Sequence, residues 1–292
     1  MTLQQLRYIV AIADTASFAQ AAEASGVTQP TLSAMVRKLE LELGTTLFDR
    51  STKPVTITEV GNIVIPRARQ VLAQAGSITQ AIAEAQDSLS GPLRLGILPT
   101  IAPYLLPLFL GTFVKAYPEL ELVIQELKTG EIASRLHDGR LDIGILATPH
   151  EKVQGLTIEP LFEESFYAYA KTPPTKEYVL AEDIDPDELW VLEEGHCFGD
   201  QVLDLCALSR SSHTLQYVSG SIDTLKRLVE AQGGITVLPE LALRSLSKKE
   251  LSHTRPFAPP TPKRTVSLVM RNDFVRSRVT EVLAKAVKAS LD

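Results

Sequence analysis

The residues of this sequence best suited to chemistry lie together in EEGHCFGDQVLDLCALSR, which spans Glu193–Arg210. This stretch holds both cysteines of the 292-residue chain, Cys197 and Cys206, together with His196 and Asp200. A thiolate is a nucleophile and a metal ligand, and its pKa falls beside cations and at helix N-termini. Three interpretations are therefore open: a metal site, transient redox chemistry, or two thiols that only pack in a core. We expect no metal, since two cysteines and one histidine are not the compact ligand set that zinc requires.

The length of 292 residues is enough for about two domains, and the composition is that of an ordinary globular protein. Hydrophobic residues make up 45% of the chain and charged residues 22%, and no uncharged apolar stretch approaches the roughly 20 residues of a membrane helix. The opening MTLQQLRYIVAIADTASF lacks a signal-peptide cleavage site. We therefore expect a cytoplasmic protein with no membrane partner, where a permanent disulfide is unusual. The net charge of −6 argues against nonspecific polyanion binding but is compatible with a local DNA-binding face.

The beginning of the chain has the pattern of a helix-turn-helix. Apolar residues recur at helical spacing from Leu3, and Ser17 suits the N-cap of a second, short helix. Gly26 suits the left-handed backbone of a tight turn, Thr28 can cap a third helix, and Gly44 can end it. A polar face at the start of such a helix can meet base edges in a major groove. The alternative is an ordinary helical hairpin with a solvated face.

Side chains at this third helix, and in the turn-rich stretch after it, are chemically suited to DNA. Glutamine can bond an adenine edge, threonine and serine can contact bases or phosphates, and arginine and lysine can contact phosphates. TTLFDRSTKPVTIT alternates and turns at Lys53-Pro54, which favours a β-wing. The candidate DNA-binding residues are Thr28, Gln29, Pro30, Thr31, Ser33, Arg37, Lys38, Arg50 and Lys53.

A long helix is predicted next, in TEVGNIVIPRARQVLAQAGSITQAIAEAQDSL. An apolar stripe runs along it through Val60, Ile63 or Val64, Val71, Ile78 and Ile82. A lone amphipathic helix needs a partner. The same helix of a second subunit is the simplest partner, so we expect a dimer. The following SLSGP indicates a hinge.

FAQAAEASGVTQPTLSAMVRKLELELGTTLFDR resembles the N-terminal head of the LysR-type transcriptional regulators. The resemblance extends over the winged helix-turn-helix and the long linker helix, and it favours DNA binding over the helical hairpin. It implies double-stranded promoter DNA as a partner, a dimer through the linker helix, a homotetramer, and contact with RNA polymerase. The expected domains are 1–58 for the winged helix-turn-helix and 59–90 for the linker and dimerisation helix.

Strands and helices alternate over the rest of the chain, which predicts an α/β fold with a mainly parallel sheet. LRLGILP and LDIGILA have the pattern of buried strands, and TGEIASRLHDG that of a helix with Thr129 as its cap. This half resembles the LysR-type effector domain, which has two α/β subdomains like periplasmic binding proteins and an effector in the cleft. The expected boundaries are 91–292 for the regulatory domain, 91–163 with 265–292 for subdomain I, and 164–264 for subdomain II.

Within that family, GHCFGDQVLDLC resembles the redox segment of the OxyR hydrogen peroxide sensors, as do GILPTIAPYLLP and KRTVSLVMR elsewhere. The resemblance implies hydrogen peroxide as the effector, with no cofactor. It implies that Cys197 is the peroxide-reactive thiol and that Cys206 is the resolving thiol of a reversible disulfide. The other residues that it places around the peroxide are His196, Asp200, Thr100, Thr129 and Arg264.

The spacing of the two cysteines adds a physical constraint to that pairing. In one helix, the nine steps from Cys197 to Cys206 would separate their Cα atoms by roughly 13 Å, on opposite faces. A disulfide needs Cα atoms within about 7 Å, so a helical segment must refold to form the bond, as a sensor requires. Gly199 departs from the group's pattern, in which an arginine often stands, so the oxidation rate does not follow from the resemblance.

Two other functions fit parts of the pattern. A LysR-type regulator can respond to a small-molecule metabolite while its thiols stay inert. A thiol peroxidase would use the same cysteines, but it would not need a DNA-binding head, so we expect the protein not to be an enzyme. The sequence thus predicts a redox-sensing transcription regulator that controls oxidative-stress genes.

Overall fold

The structure is a computed structural model that describes residues 1–85, 89–148, 155–173, 175–192, 201–202 and 221–291. The chain divides into two compact units, Met1–Asp87 with His137–Arg140 and Ser88–Leu136 with Leu141–Asp292. Among the described residues, no helix combines the length and the apolar character needed to cross a membrane.

The first unit opens with three helices, α1 (Leu3–Thr15), α2 (Phe18–Ala24) and α3 (Gln29–Leu43). Their ends follow from local sequence. The hydroxyls of Thr2, Ser17 and Thr28 each accept a backbone amide in the first turn of the helix that follows. Gly26, with φ +65°, turns the chain between α2 and α3, and Gly44, with φ +68°, ends α3.

A small apolar core joins these helices to the wing. Ile9, Ile12 and Leu32 are fully buried in it. The wing is an antiparallel pair of strands, β1 (Phe48–Asp49) and β2 (Thr56–Ile57). Phe48 reaches the same core and meets the ring of Phe18 edge-on, with ring centroids 6.0 Å apart. These elements confirm the predicted winged helix-turn-helix.

The predicted long helix is α4 (Glu59–Ala85). One side of it packs on the core through Ile65 and Ala68, and its Arg69 forms an ion pair with Asp14 of α1. The predicted apolar stripe is left in solvent. Its residues Val60, Ile63, Val71, Ile78 and Ile82 are each at least 40% exposed in the single chain. An exposed apolar stripe of this kind is typical of a surface that another chain or element covers.

The second unit is built on a single sheet within the described residues. Its strands are β3 (Gly91–Ile97), β4 (Leu120–Glu126), β5 (Ile143–Thr148), β6 (Leu156–Ala170), β7 (Leu189–Trp190), β8 (Ile235–Pro239), β9 (Thr254–Pro256) and β10 (Lys263–Arg271). Their order is β4-β3-β5-β10-β6-β8-β7, and β9 pairs with β6. Parallel pairing joins β3 to β4, β3 to β5, and β7 to β8.

Two long strands make this sheet mixed. β6 and β10 run antiparallel to each other along the whole of β10, and β6 changes partners after Ser165, from β10 to β8 and β9. The prediction of a mainly parallel sheet is wrong, because β6 and β10 add antiparallel pairings with each other and with β5, β8 and β9. Their register shifts beside Pro160, which has no amide hydrogen and which a bulge accommodates.

Helices pack on this sheet and close its core. They are α5 (Ala102–Ala116), α6 (Thr129–His137), α7 (Ile222–Gln232), α8 (Glu240–Leu243), α9 (Lys248–Ser252) and α10 (Ser277–Ala289). Gly144 of β5 permits a close approach of α6, because a Cβ atom at this position would lie 2.6 Å from the side chain of Ile132. The predicted α/β architecture of the regulatory half is confirmed.

Arg276, directly before α10, fixes the first residues of this unit. The residue is 2% exposed. Its two terminal nitrogens donate to the carbonyl oxygens of Ser90 and Pro92, each at 2.8 Å. Gly91 and Pro92 of the predicted hinge are the first two residues of β3. The guanidinium therefore ties this end of the hinge to the last helix of the chain.

Candidate functional site

The start of α3 presents polar side chains to solvent. The Thr28 hydroxyl accepts the amide of Thr31 at 3.4 Å and lies 2.8 Å from its hydroxyl. Pro30 stands in the first turn, where a missing amide hydrogen costs nothing, while Leu32 and Leu39 turn the other side of the helix into the core. A helix that enters a major groove needs this division. The exposed candidates are Thr28, Gln29, Pro30, Thr31, Arg37, Lys38, Arg50 and Lys53, and Ser33 is half-buried.

Arg50 has contacts that the sequence does not predict. Its Nη2 donates to Oε2 of Glu40 at 2.7 Å and its Nη1 to the hydroxyl of Ser33 at 3.3 Å. The guanidinium carbon also lies 4.8 Å from the ring centroid of Phe18. Glu40 is buried, and its other oxygen accepts the amide of Leu47 at 2.8 Å. Arg50 therefore joins α3 to the end of β1, although 38% of its side chain stays exposed.

Three predicted site residues of the second unit lie at one edge of the sheet. Thr100 follows the carboxyl end of β3, and Thr129 follows that of β4, the parallel strand beside it. Arg264 is near the start of β10, which runs antiparallel to β5 and so begins beside the carboxyl end of β5, at Thr148. Ligands in open α/β sheets bind at the carboxyl ends of parallel strands. This edge is therefore the candidate effector site.

Arg264 contacts Thr100 directly at that edge. Its Nη1 donates to Oγ1 of Thr100 and its Nη2 to the carbonyl oxygen of Thr100, both at 3.2 Å. On its other side the guanidinium meets Glu164, whose Oε1 accepts Nε at 2.7 Å and lies 2.6 Å from Nη2. Oε2 of Glu164 accepts the amide of Leu241 at 3.1 Å, in the first turn of α8. The two predicted residues thus contact each other directly, and Glu164, which was not predicted, holds the other side of the guanidinium.

Sequence reasoning missed Glu164, although a signal was present. Glu163 and Glu164 interrupt the strand pattern LTIEPLFEESFYAYA, and alternation turns one of two successive side chains toward the core. Glu163 is exposed and pairs with Lys263 at 3.4 Å. Glu164 stands opposite Arg264 in the strand ladder and faces inward. A buried carboxylate of this kind needs a cationic partner in the fold.

Thr129 is the first residue of α6, so the prediction that it caps the helix is wrong. Its Oγ1 is buried and has no hydrogen-bond partner among the described residues. At that end of the helix, Oε2 of Glu131 accepts the amide of Lys128 at 3.4 Å instead. A buried hydroxyl left without a partner costs about 1–3 kcal/mol, so this atom is suited to hydrogen-bond a ligand or a part of the chain outside the described residues.

Tyr104 of α5 lies within electrostatic reach of Arg264 and Glu164. Its hydroxyl lies 3.5 Å from Oδ1 of Asp223, in the first turn of α7. Burial, and after it the charge of Asp223, raise the pKa of the Tyr104 phenol well above its ordinary value. Arg264 lowers that pKa and Glu164 raises it. The phenol therefore stays a neutral hydrogen-bond donor within the electrostatic reach of the Glu164–Arg264 pair.

The remaining predicted site residues, His196, Cys197, Asp200 and Cys206, lie outside the described residues, as does Gly199. Gln201 is described, and its Oε1 is buried with no hydrogen-bond partner in that part of the chain. The positions of the two thiols relative to Thr100, Thr129 and Arg264 stay a prediction.

Two family models match the chain. Residues 3–62 match the bacterial regulatory helix-turn-helix protein model of the lysR family, and residues 86–292 match the LysR substrate binding domain. The first match covers α1 to α3, the wing and the beginning of α4. The second covers the whole mixed sheet with its helices.

Relatives align along nearly the entire chain. The DNA-binding transcriptional dual regulator OxyR of Escherichia coli (strain K12) is 35% identical over 296 residues, which cover 100% of this chain and 96% of that protein. A full-length OxyR variant from Pseudomonas aeruginosa has a TM-score of 0.82 at 36% identity, covering 99% of this chain and 98% of the other. A hydrogen peroxide-bound OxyR mutant from Corynebacterium glutamicum has a TM-score of 0.64 at 33% identity, covering 99% and 92%. The chain therefore belongs to the LysR family of bacterial transcription regulators.

Proposed function

We propose that the protein is a redox-sensing transcription regulator. Hydrogen peroxide oxidises Cys197, a reversible disulfide forms with Cys206, and the change switches the DNA-bound oligomer to control oxidative-stress genes. The observation that carries this proposal is the buried Thr100–Arg264 contact at the carboxyl edge of the sheet. It joins two of the residues that the resemblance assigns to peroxide, in a chain whose relative from Corynebacterium glutamicum binds hydrogen peroxide.

The proposed chemistry is a two-electron exchange between peroxide and two thiols. The thiolate of Cys197 attacks one peroxide oxygen, the O–O bond breaks, and the departing hydroxide takes up a proton and leaves as water. The thiolate of Cys206 then attacks the sulfur of the sulfenic acid. An S–S bond forms, and the second oxygen leaves as water after it takes up a proton. Peroxide is reduced to two molecules of water and the two cysteines are oxidised to a disulfide.

The described part of the site supports this chemistry with hydrogen-bond donors. The Thr129 hydroxyl is buried and has no partner among the described residues. The Thr100 hydroxyl accepts from Arg264 and keeps its own hydrogen to donate. Donors of this kind can hold the two peroxide oxygens for attack and stabilise the departing hydroxide. In the proposal, His196 and Asp200 complete the site.

The head supports promoter DNA as the partner. The exposed polar start of α3, together with Arg50 and Lys53, would contact bases and phosphates. The exposed apolar stripe of α4 supports a dimer through this helix, which would pair two heads on one operator. A homotetramer, contact with RNA polymerase and a cytoplasmic location belong to the proposal, and the family supports them. A switch of this kind needs no catalytic turnover, so the proposal is a regulator and not an enzyme.

The proposed domain limits are 1–58, 59–90 and 91–292. The change of partners along β6 after Ser165, beside the pair that Glu164 forms with Arg264 in β10, supports a division of the regulatory domain at that point.

Peroxide titration of the purified, reduced protein tests the proposal. We expect stoichiometric peroxide to produce a Cys197–Cys206 bond, found by peptide mass mapping, and to change the footprint on promoter DNA in parallel. Cys206→Ser is the matched control, because its oxidation stops at the sulfenic acid and it should keep the reduced footprint. If the bond forms while footprint and promoter output stay unchanged, the proposed switch is wrong, and a regulator that answers a metabolite with inert thiols becomes the better interpretation.

A further inference from the structure

The ion pair between Glu164 and Arg264 is enclosed almost completely. Their side chains are 2% and 1% exposed, and the two residues stand opposite each other on β6 and β10. Moving two charges out of water costs free energy that their attraction offsets only in part, so a buried pair is weak evidence for a gain in stability. The contacts of this pair indicate that it orients the guanidinium of Arg264.

The contacts of Glu164 hold the guanidinium in one orientation. Oε1 of Glu164 accepts a hydrogen bond from Nε of Arg264 and also lies 2.6 Å from Nη2, while Oε2 accepts the amide hydrogen of Leu241. Arginine is a long side chain with many rotamers, and contact with a carboxylate through two nitrogens fixes the plane of its guanidinium. The third nitrogen, Nη1, donates to Oγ1 of Thr100 instead of to Glu164.

The fixed guanidinium also restricts the direction in which the Thr100 hydroxyl can donate its hydrogen. A hydroxyl has one hydrogen to donate and two lone pairs to accept with. Oγ1 of Thr100 already accepts from Arg264, so its own hydrogen must point away from the guanidinium. We infer that Glu164 is a positioning residue of the peroxide site: by holding Arg264, it aims the Thr100 hydroxyl as a donor at the reacting peroxide. This inference rests on the proposed function of that site.

Glu164 also offsets the charge of Arg264. A carboxylate oxygen within 2.7 Å of two guanidinium nitrogens cancels much of the field that a free cation would exert on its surroundings. A free cation would stabilise the Cys197 thiolate, whereas an oriented donor acts on the peroxide alone. Glu164→Gln separates these two effects, because it keeps the size of the side chain, removes the opposing charge and weakens the hold on the guanidinium.

The test compares two reagents on the full-length protein in a Cys206→Ser background. The rate constants of Cys197 with hydrogen peroxide and with iodoacetamide are measured as a function of pH. We expect Glu164→Gln to lower the peroxide rate constant by about 10- to 100-fold. Its iodoacetamide rate constant should not fall, because the alkylating reagent needs the thiolate but not Thr100. The pH midpoint of alkylation, which reports the thiol pKa, should not rise.

Thr100→Val is the matched test of the route through the hydroxyl. In that background, Glu164→Gln should cause no further loss with peroxide. Equal losses with both reagents, or losses that multiply in the double variant, would overturn the inference. If Glu164→Gln does not fold, Arg264→Lys makes the same distinction, because it keeps the cation without the planar fork. The rate constant of Arg264→Lys with peroxide should also fall. A rate constant equal to that of the protein with Arg264 intact would overturn the inference.

The peroxide rate constant of the protein with Glu164 and Thr100 intact shows whether the inference or the proposed function has failed. If its Cys197 reacts with peroxide no faster than free cysteine does, the proposed function is wrong. If Cys197 reacts fast and Glu164→Gln reacts equally fast, only the positioning role of Glu164 is wrong.

Discussion

An arginine–glutamate pair of the same design occurs in each unit of the molecule. Glu40 and Glu164 each give one carboxylate oxygen to a backbone amide and the other to an arginine. Both glutamates are buried, but the exposed fraction of the arginine side chain is 38% for Arg50 and 1% for Arg264. The two pairs therefore differ mainly in what their guanidinium groups can still reach.

In the head, the pair joins residues ten positions apart and leaves part of Arg50 in water, where a phosphate can approach. In the regulatory unit, the pair joins residues 100 positions apart and closes onto Thr100. Water and salt screen a pair at the surface, so the loss of one partner costs little. In an enclosed pair, the loss of one partner leaves the other as an uncompensated buried charge. The same pairing can thus assist docking in one unit and internal alignment in the other.

The largest expected effect comes from removing the enclosed cation. Arg264→Met leaves Glu164 as a buried charge, so we expect the free energy of unfolding of the regulatory unit to fall by about 3–5 kcal/mol. Trp190 is the single tryptophan of the chain and lies in β7 of this unit. Its fluorescence during urea unfolding measures the loss.

The double variant Glu164→Met with Arg264→Met is the control for that loss. An apolar pair of similar volume should restore most of the stability, because no buried charge is left. A double variant as unstable as Arg264→Met alone would mean that poorer packing, and not the uncompensated carboxylate, is responsible.

A smaller effect is expected for the corresponding change in the head. Arg50→Met should cost about 1 kcal/mol of unfolding free energy, because water already surrounds part of the pair. The slope of log affinity for DNA against log salt should become less steep by about 0.9 for each phosphate that the variant no longer neutralises. Circular dichroism follows the head, and the Trp190 transition should not move. An unchanged salt slope would restrict Arg50 to a structural role.

The smallest expected effect is a pH dependence of stability that arises from a helix cap of the second unit and not from the corresponding cap of the first. Capping boxes begin both α1 and α9, but the first uses the neutral Gln5 and the second uses Glu250. A hydrogen bond from Lys226, and after it bonds from Ser247, lower the pKa of Glu250 from 4.5 to about 2. Because the folded-state pKa is the lower one, this stabilisation is complete above pH 4.5 and is lost as the pH falls toward about 2.

Glu250→Gln gives α9 the neutral cap that α1 already has. The urea midpoint of the Trp190 transition should be higher in the unmodified protein than in Glu250→Gln at neutral pH. That difference should shrink as the pH falls from 4.5 toward about 2. A difference that stays constant over this range would show that the ionised form of Glu250 does not contribute.

Local features were predictable from the sequence and distant pairings were not. The cap at Thr28 and the turns at Gly26 and Gly44 depend on neighbouring residues, and all three predictions are confirmed. Alternating strands and helices predicted the α/β fold but not strand direction, so the antiparallel course of β6 and β10 was missed. Glu164 and Arg264 meet only because these strands bring together residues 100 positions apart. For Thr129, sequence indicated a cap, whereas its hydroxyl is buried without a partner among the described residues.

Arg276 determines where the molecule can be divided. A recombinant fragment that begins after Pro92 would remove two acceptors from a guanidinium group whose residue is 2% exposed. Limited proteolysis between Ser90 and Pro92 would loosen the same contact. The shortest regulatory fragment suited to crystallisation therefore has to start upstream of Ser90 and retain Arg276 with the last helix.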